Sequence, residues 1–305
     1  MKYTGFVYVL IAGLMWGSSC LFIHKLTPFG FTAAQMAAVR GIVSFLCIAV
    51  YILIRDRSKF RVSAKHIPLF CGIGVTLFTT AYWYYRSVQL TSSSTAAVLL
   101  YMAPVYVMIF SALFLGERFS LWKGVSVVGM LCGCFLVSGI VGGLKFHPIG
   151  VLLAILSGMS YAAYILLTKI SMQKEADPMS ATVYGFLVMA TVATVIAKPW
   201  KMPTLIRQDP GVILPWLLGL GVVTFVVPYF LYTLSMRSLP AGVASALAIM
   251  EPFSATIYSL VLLRESLTVF SVIGIVLILI SAILLSLSET KNPAMKNADK
   301  FPSNA

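Results

Sequence analysis

Acidic side chains are scarce in this chain: nine Asp and Glu among 305 residues, against 22 Lys and Arg, with only 10% of residues charged. A soluble domain carries about a quarter of its residues as charges, so this composition excludes one. Histidine is scarcer still, and His24, His66 and His147 stand at the ends of apolar runs or between them. No H-E-x-x-H pair, paired carboxylates or Ser/His dyad falls within an apolar run, which leaves hydrolytic or metal-centred chemistry without residues to carry it. The five cysteines (Cys20, Cys47, Cys71, Cys132, Cys134) all lie inside apolar runs. They read as small packing residues rather than a disulfide framework, and no cofactor or metal is expected.

What is plentiful is hydrocarbon. Sixty per cent of the chain is hydrophobic, and the mean hydropathy is +0.96. Ten apolar runs stand out, at 5–24, 32–54, 67–87, 95–115, 121–141, 148–168, 180–197, 212–235, 243–263 and 269–288. Runs of about 20 residues cross a hydrocarbon core of roughly 30 Å as helices. A barrel would show short alternating strands instead. The expected fold is an all-α membrane protein of ten transmembrane helices, with the lipid bilayer as its solvent. Only Lys2 precedes the first run and no Ala-x-Ala follows it, so it reads as a retained helix rather than a cleaved leader.

The chain also repeats itself. Residues 72–138 slide onto 220–286 at an offset of 148 without a gap, bringing Tyr84 onto Tyr232, Ser87 onto Ser235, Met102 onto Met250, Pro104 onto Pro252 and Glu117 onto Glu265. Between 95–138 and 243–286 there are 12 identities in 44 positions. The expected organisation is a five-helix repeat over 1–141, a second over 148–288, and a polar tail over 289–305, cytoplasmic and disordered.

Basic residues set the orientation. An even number of spans puts both termini on one side, and that side collects 14 Lys and Arg, five of them in the loop 55–65, against 7 on the other. The positive-inside bias places both termini in the cytoplasm of a multi-pass cell-membrane protein. The basic loop then serves topology and anionic lipid, and no nucleic-acid partner is expected. Five spans per half is an odd number, so the second half enters the membrane from the opposite side. Inverted repeats of this kind suit alternating access to a small-molecule substrate.

Charges deep within spans are expensive and turn towards a partner or a wet cavity. Two residues qualify, Arg40 and Glu251. Glu251 breaks the repeat, since its counterpart is Ala103. It could bind a cationic group, carry a coupling proton, pair with Arg40, or serve backbone freed by Pro252. Arg40 reads first as a structural guanidinium knitting helices to carbonyls or headgroups. Glu117 and Glu265 sit in turns and read as caps for the helix that follows, beside Ser120 and Thr268. Pro104 and Pro252 are kink or gate candidates, with plain bundle packing an equal account. Aromatic residues far from span ends, Trp16, Tyr101, Tyr161 and Tyr229 among them, could line a cavity or simply fill the core.

These features resemble the EamA branch of the drug/metabolite transporter superfamily over about residues 5–288. The resemblance rests on Trp16-Gly17, Ala38-x-Arg40, the A-P-V…L-G-E-R stretch from Ala103 to Arg118, and M-E-P…L-R-E-S from Met250 to Ser266. It implies a central cavity, with Trp16, Tyr82, Tyr101, Tyr161, Tyr229 and Glu251 as substrate-binding candidates. It also implies export of amino acids, metabolites or drugs, driven by proton exchange or by substrate gradient. Span 1 lacks the embedded glutamate of the related four-span multidrug transporters, leaving Glu251 as the proton-coupling candidate. Monomer and homodimer both remain open. The competing readings are an intramembrane enzyme acting on lipid or peptide, and a non-transporting sensor or scaffold.

Overall fold

The computed structural model describes residues 2–103, 105–107, 109–110, 121–137, 147–235 and 250–290, and no strand occurs among them. The helices are α1 (Lys2–Gly17), α2 (Ser19–Leu26), α3 (Ala33–Arg55), α4 (Ile67–Leu90), α5 (Ser93–Leu100), α6 (Leu121–Val137) and α7 (Pro148–Gln173). There follow α8 (Pro178–Ala197), α9 (Pro210–Gly221), α10 (Val227–Ser235), α11 (Met250–Val261) and α12 (Val269–Thr290). Six helical stretches are long and apolar enough to cross a membrane: Thr4–Phe29, Ala33–Arg55, Ala64–Leu90, Pro148–Gln173, Pro178–Ala197 and Pro210–Tyr232. Shorter apolar helices cover Ser93–Val107, Gly124–Gly133 and Val269–Ser281. The stretches 111–115, 138–141 and 243–249 of the expected spans lie outside the described residues, as do Pro104, Glu117 and residues 291–305.

Local chemistry explains where these helices start. Thr32 and Gln35 form a reciprocal capping box at α3. Ser92, Asp177 and Asp209 accept from backbone amides at the starts of α5, α8 and α9. Proline at the first position of α7, α8 and α9 costs no hydrogen bond there.

Three of the expected spans are interrupted. The first breaks at Ser18, where Ser18 and Ser19 turn their hydroxyls back onto the Met15 and Trp16 carbonyls at 2.7 and 2.6 Å. Such back-bonding beside a glycine bends a helix. The fourth stops at Leu100, and Tyr101–Met102 form a turn. Pro104 has no N–H to offer the Leu100 carbonyl and would crowd it, which is sufficient cause. The eighth widens into a π-turn at Val222–Val226, just ahead of Pro228, which has no N–H to offer the Thr224 carbonyl.

Packing follows a two-fold plan. α4 lies along α7 as α1 lies along α10, and α5 meets α7 as α1 meets α11. α3 pairs with α8, α6 with α12, and α5 with α11. Exchanging the halves maps this set of neighbours onto itself. Glycines sit at both copies of one contact. A Cβ on Gly17 would stand 2.7 Å from the Glu251 carbonyl oxygen and 2.8 Å from the Ala255 nitrogen of α11. On Gly158 it would stand 3.1 Å from the Leu100 carbonyl oxygen of α5. The backbones therefore touch directly, as small residues allow in membranes.

Polar ties join the halves near the helix ends. Lys59 Nζ lies 2.8 Å from Asp177 Oδ2, the single ion pair among the described residues. Ser180 Oγ donates to the Lys59 carbonyl and Tyr184 Oη to the Phe60 carbonyl. Partial burial works against the Asp177 carboxylate, yet Lys59 and the Ser180 amide hold it below the usual range. The same bond raises Lys59.

Glu265 acts differently from expectation. Thr268, not Glu265, accepts from the Ser271 amide at the start of α12. The Glu265 carboxylate instead takes the Ser93 amide at 2.9 Å, the Ser93 hydroxyl at 2.9 Å and the Ser259 hydroxyl. It thus caps α5, in the other half of the chain, where a helix N-terminus favours an anion.

Candidate functional site

The three interruptions converge on one cavity of about 160 Å³. Ser19 and Trp16 flank the first break, Leu100 and Tyr101 form the second, and Phe225 belongs to the π-turn; all five line the cavity. Discontinuous helices around a site between repeats are how transporter folds bring backbone and polar groups to a buried solute. Both halves supply walls. Arg40 and Tyr84 come from the first, and Tyr161, Met189, Tyr229, Tyr232 and Glu251 from the second.

Aromatic rings make most of that wall. Trp16 meets Tyr229 edge-on with ring centroids 5.8 Å apart and tilts over Tyr232 at 5.5 Å. Phe225 lies 4.7 Å from Tyr229, and Tyr161 stacks on Tyr164 at 5.9 Å. The Tyr164 and Tyr229 hydroxyls pair at 3.2 Å, so buried phenols find partners as they must.

Two charges are set into this wall. Tyr101 Oη donates to Glu251 Oε2 at 2.8 Å. Arg40 Nη1 donates to Tyr85 Oη at 3.0 Å, and its guanidinium carbon stands 4.4 Å above the centre of the Phe225 ring. Arg40 and Glu251 share the cavity, and no ion pair joins them.

Of the residues expected at the site, Trp16, Tyr101, Tyr161, Tyr229, Glu251 and Arg40 come together here. Tyr82 does not: it stacks on Phe78 with centroids 5.6 Å apart. The α4 face turned to the cavity carries Leu77, Thr80, Ala81 and Tyr84, a spacing of three and four, and position 82 falls off it. Pro252 is buried within α11, and Pro104 lies outside the described residues. Sequence reasoning missed Tyr84 and Tyr232 as cavity walls. Their coincidence at the repeat offset was the signal that could have found them. Phe225 and Met189 carry no such mark among so many apolar neighbours.

An all-helical, multi-pass membrane protein with a small cavity shared by two halves is the architecture of a solute carrier. The sequence profile of the EamA-like transporter family matches residues 3–139 and again 148–287. This chain belongs to that family and is a membrane transporter. It is 29% identical over 284 residues to an uncharacterized transporter of Archaeoglobus fulgidus, covering 93% of this chain and 96% of the other. The uncharacterized transporter YwfM of Bacillus subtilis is 26% identical over 96% of this chain and 97% of its own. The threonine/homoserine exporter RhtA of Salmonella typhimurium is 26% identical over 83% of each chain. A crystal structure with 17% sequence identity superposes with a TM-score of 0.62 over 96% of this chain and 100% of the other, so it shares the fold.

Proposed function

We propose that the protein is a secondary-active exporter of amino acids or related small amphipathic metabolites, working by alternating access between two inverted halves. Both termini would face the cytoplasm of the cell membrane. One observation carries the reading: a cavity built from both halves, walled by aromatics, with Glu251 and Arg40 set into it. Its volume of about 160 Å³ falls below the ~300–1,000 Å³ of drug-sized sites and suits a small metabolite. The two-fold set of helix neighbours supports a machine whose halves exchange shapes. Similarity to a threonine/homoserine exporter favours amino acids within the class. Relatives named as transporters weigh against the intramembrane-enzyme reading.

Counterflow into proteoliposomes tests the proposal, using amino acids, polyamines and quaternary cations as competitors of a labelled amino acid. Exchange of amino acids supports it. Exchange of polyamines or quaternary cations alone replaces the substrate class, and exchange of none of the panel overturns the reading.

A further inference from the structure

The cavity holds one cation and one anion that are not each other's partner. Arg40 commits a single N–H to Tyr85, and its Nε is buried with no acceptor. A guanidinium offers five donors in a planar fork that matches a carboxylate. Phe225 beneath it and Tyr85 beside it fix the plane of that fork while leaving donors unanswered. An unanswered buried donor is costly, so the arrangement is complete only when an acceptor arrives. Glu251 mirrors this: Tyr101 takes Oε2, and no protein donor among the described residues takes Oε1. Were the two charges structural, a direct ion pair would be the cheapest outcome, because each would neutralise the other. They line the same cavity and remain apart.

We propose that Arg40 and Glu251 form a two-point receptor for a small zwitterion, Arg40 taking its carboxylate and Glu251 its ammonium group. Tyr85 is a positioning residue that aims the Arg40 fork. This rests on the transport reading above and narrows it. The cargo needs both charges free, and a solute lacking either leaves a buried charge unanswered. Sites built around a polar partner reject analogues that lack it far better than apolar pockets reject an extra methylene.

The test uses the full chain in proteoliposomes, with L-threonine and L-leucine as probes. Each is compared with its methyl ester, which lacks the carboxylate, and its N-acetyl form, which lacks the ammonium. The expected result is that ester and N-acetyl forms compete at least about tenfold more weakly than the parent. In Arg40→Gln the ester-to-parent ratio falls towards one while the N-acetyl penalty persists; in Glu251→Gln the pattern reverses. Tyr85→Phe lowers the ester penalty part of the way, and Arg40→Lys keeps part of it. A purely structural Arg40 would change protein yield and leave these ratios alone. Should Arg40→Gln fail to fold, the wild-type ratios and Tyr85→Phe still decide. Equal competition by all three forms in the wild type overturns the receptor while amino-acid transport stands. No exchange of either amino acid removes the amino-acid reading and the receptor together.

Discussion

Glu251 stands where the first repeat has Ala103, so a carboxylate was added to one half of an otherwise matched pair. Its bond from Tyr101 is charge-assisted, a type worth about 1.5–3 kcal/mol. Tyr101→Phe should therefore weaken substrate affinity about tenfold or more with little change in yield, measured by counterflow and size-exclusion profile. If Glu251 carries the coupling proton, Glu251→Gln abolishes substrate-driven pH change inside proteoliposomes, and unaltered coupling removes that role. Away from the cavity, Asp177 both caps α8 and pairs with Lys59. Its lowered pKa means the contribution is present above the unfolded value near ~3.9 and fades as pH falls through the folded one. The raised Lys59 loses its share only as pH climbs past its own folded value, above ~10.4, so the pair's contribution is flat near neutrality. Each side chain is 35% exposed, which limits the pair to under about 1 kcal/mol. Asp177→Asn, which keeps a cap and loses the charge, should barely move the melting temperature at pH 7. Asp177→Ala should lower it visibly, since a lost cap costs ~1 kcal/mol.

Among the helices, hydropathy made the membrane-length stretches legible, because length and apolarity are all that crossing a bilayer demands. The interruptions were legible only in part. A run such as 95–115 looks equally apolar whether its backbone is continuous or broken, and only Pro104 hinted at the stop after Leu100. Register was hidden for a similar reason: Tyr82 and Tyr84 are equivalent in composition, and only the helix's own rotation sends one to the cavity and the other to Phe78. Glu265 was readable as a cap, yet its target lies 172 residues away on α5 and no local pattern announces it. At this scale Glu265→Gln should loosen the tie between halves. It keeps the hydrogen-bonding shape but loses the charge that favours the α5 N-terminus, worth about 0.3–1 kcal/mol. Hydrogen exchange at the Ser93–Thr95 amides should quicken in that variant, whereas unchanged protection would leave Glu265 without a capping role. Gly17→Ala should lower the melting temperature in detergent, since a methyl group forced against α11 costs about 1–3 kcal/mol. An unshifted transition would mean that α1 and α11 yield freely.

For the whole molecule, the charge count and the five-span halves together predict a definite topology. Single cysteines placed in the 57–60 turn and after residue 290 should be labelled from the cytoplasmic side, and cysteines at 198–209 from the other. Labelling of both groups from one face would overturn the inverted arrangement. The two-fold set of neighbours bears also on how such a molecule can move. α1 meets α11 at Gly17, and α7 meets α5 at Gly158, so closely that a Cβ on either glycine would crowd the partner's backbone. If the halves exchange shapes as proposed, these two contacts, each joining one half to the other, would be the fulcrums about which the paired helices swing while the softer aromatic walls open on one face and close on the other.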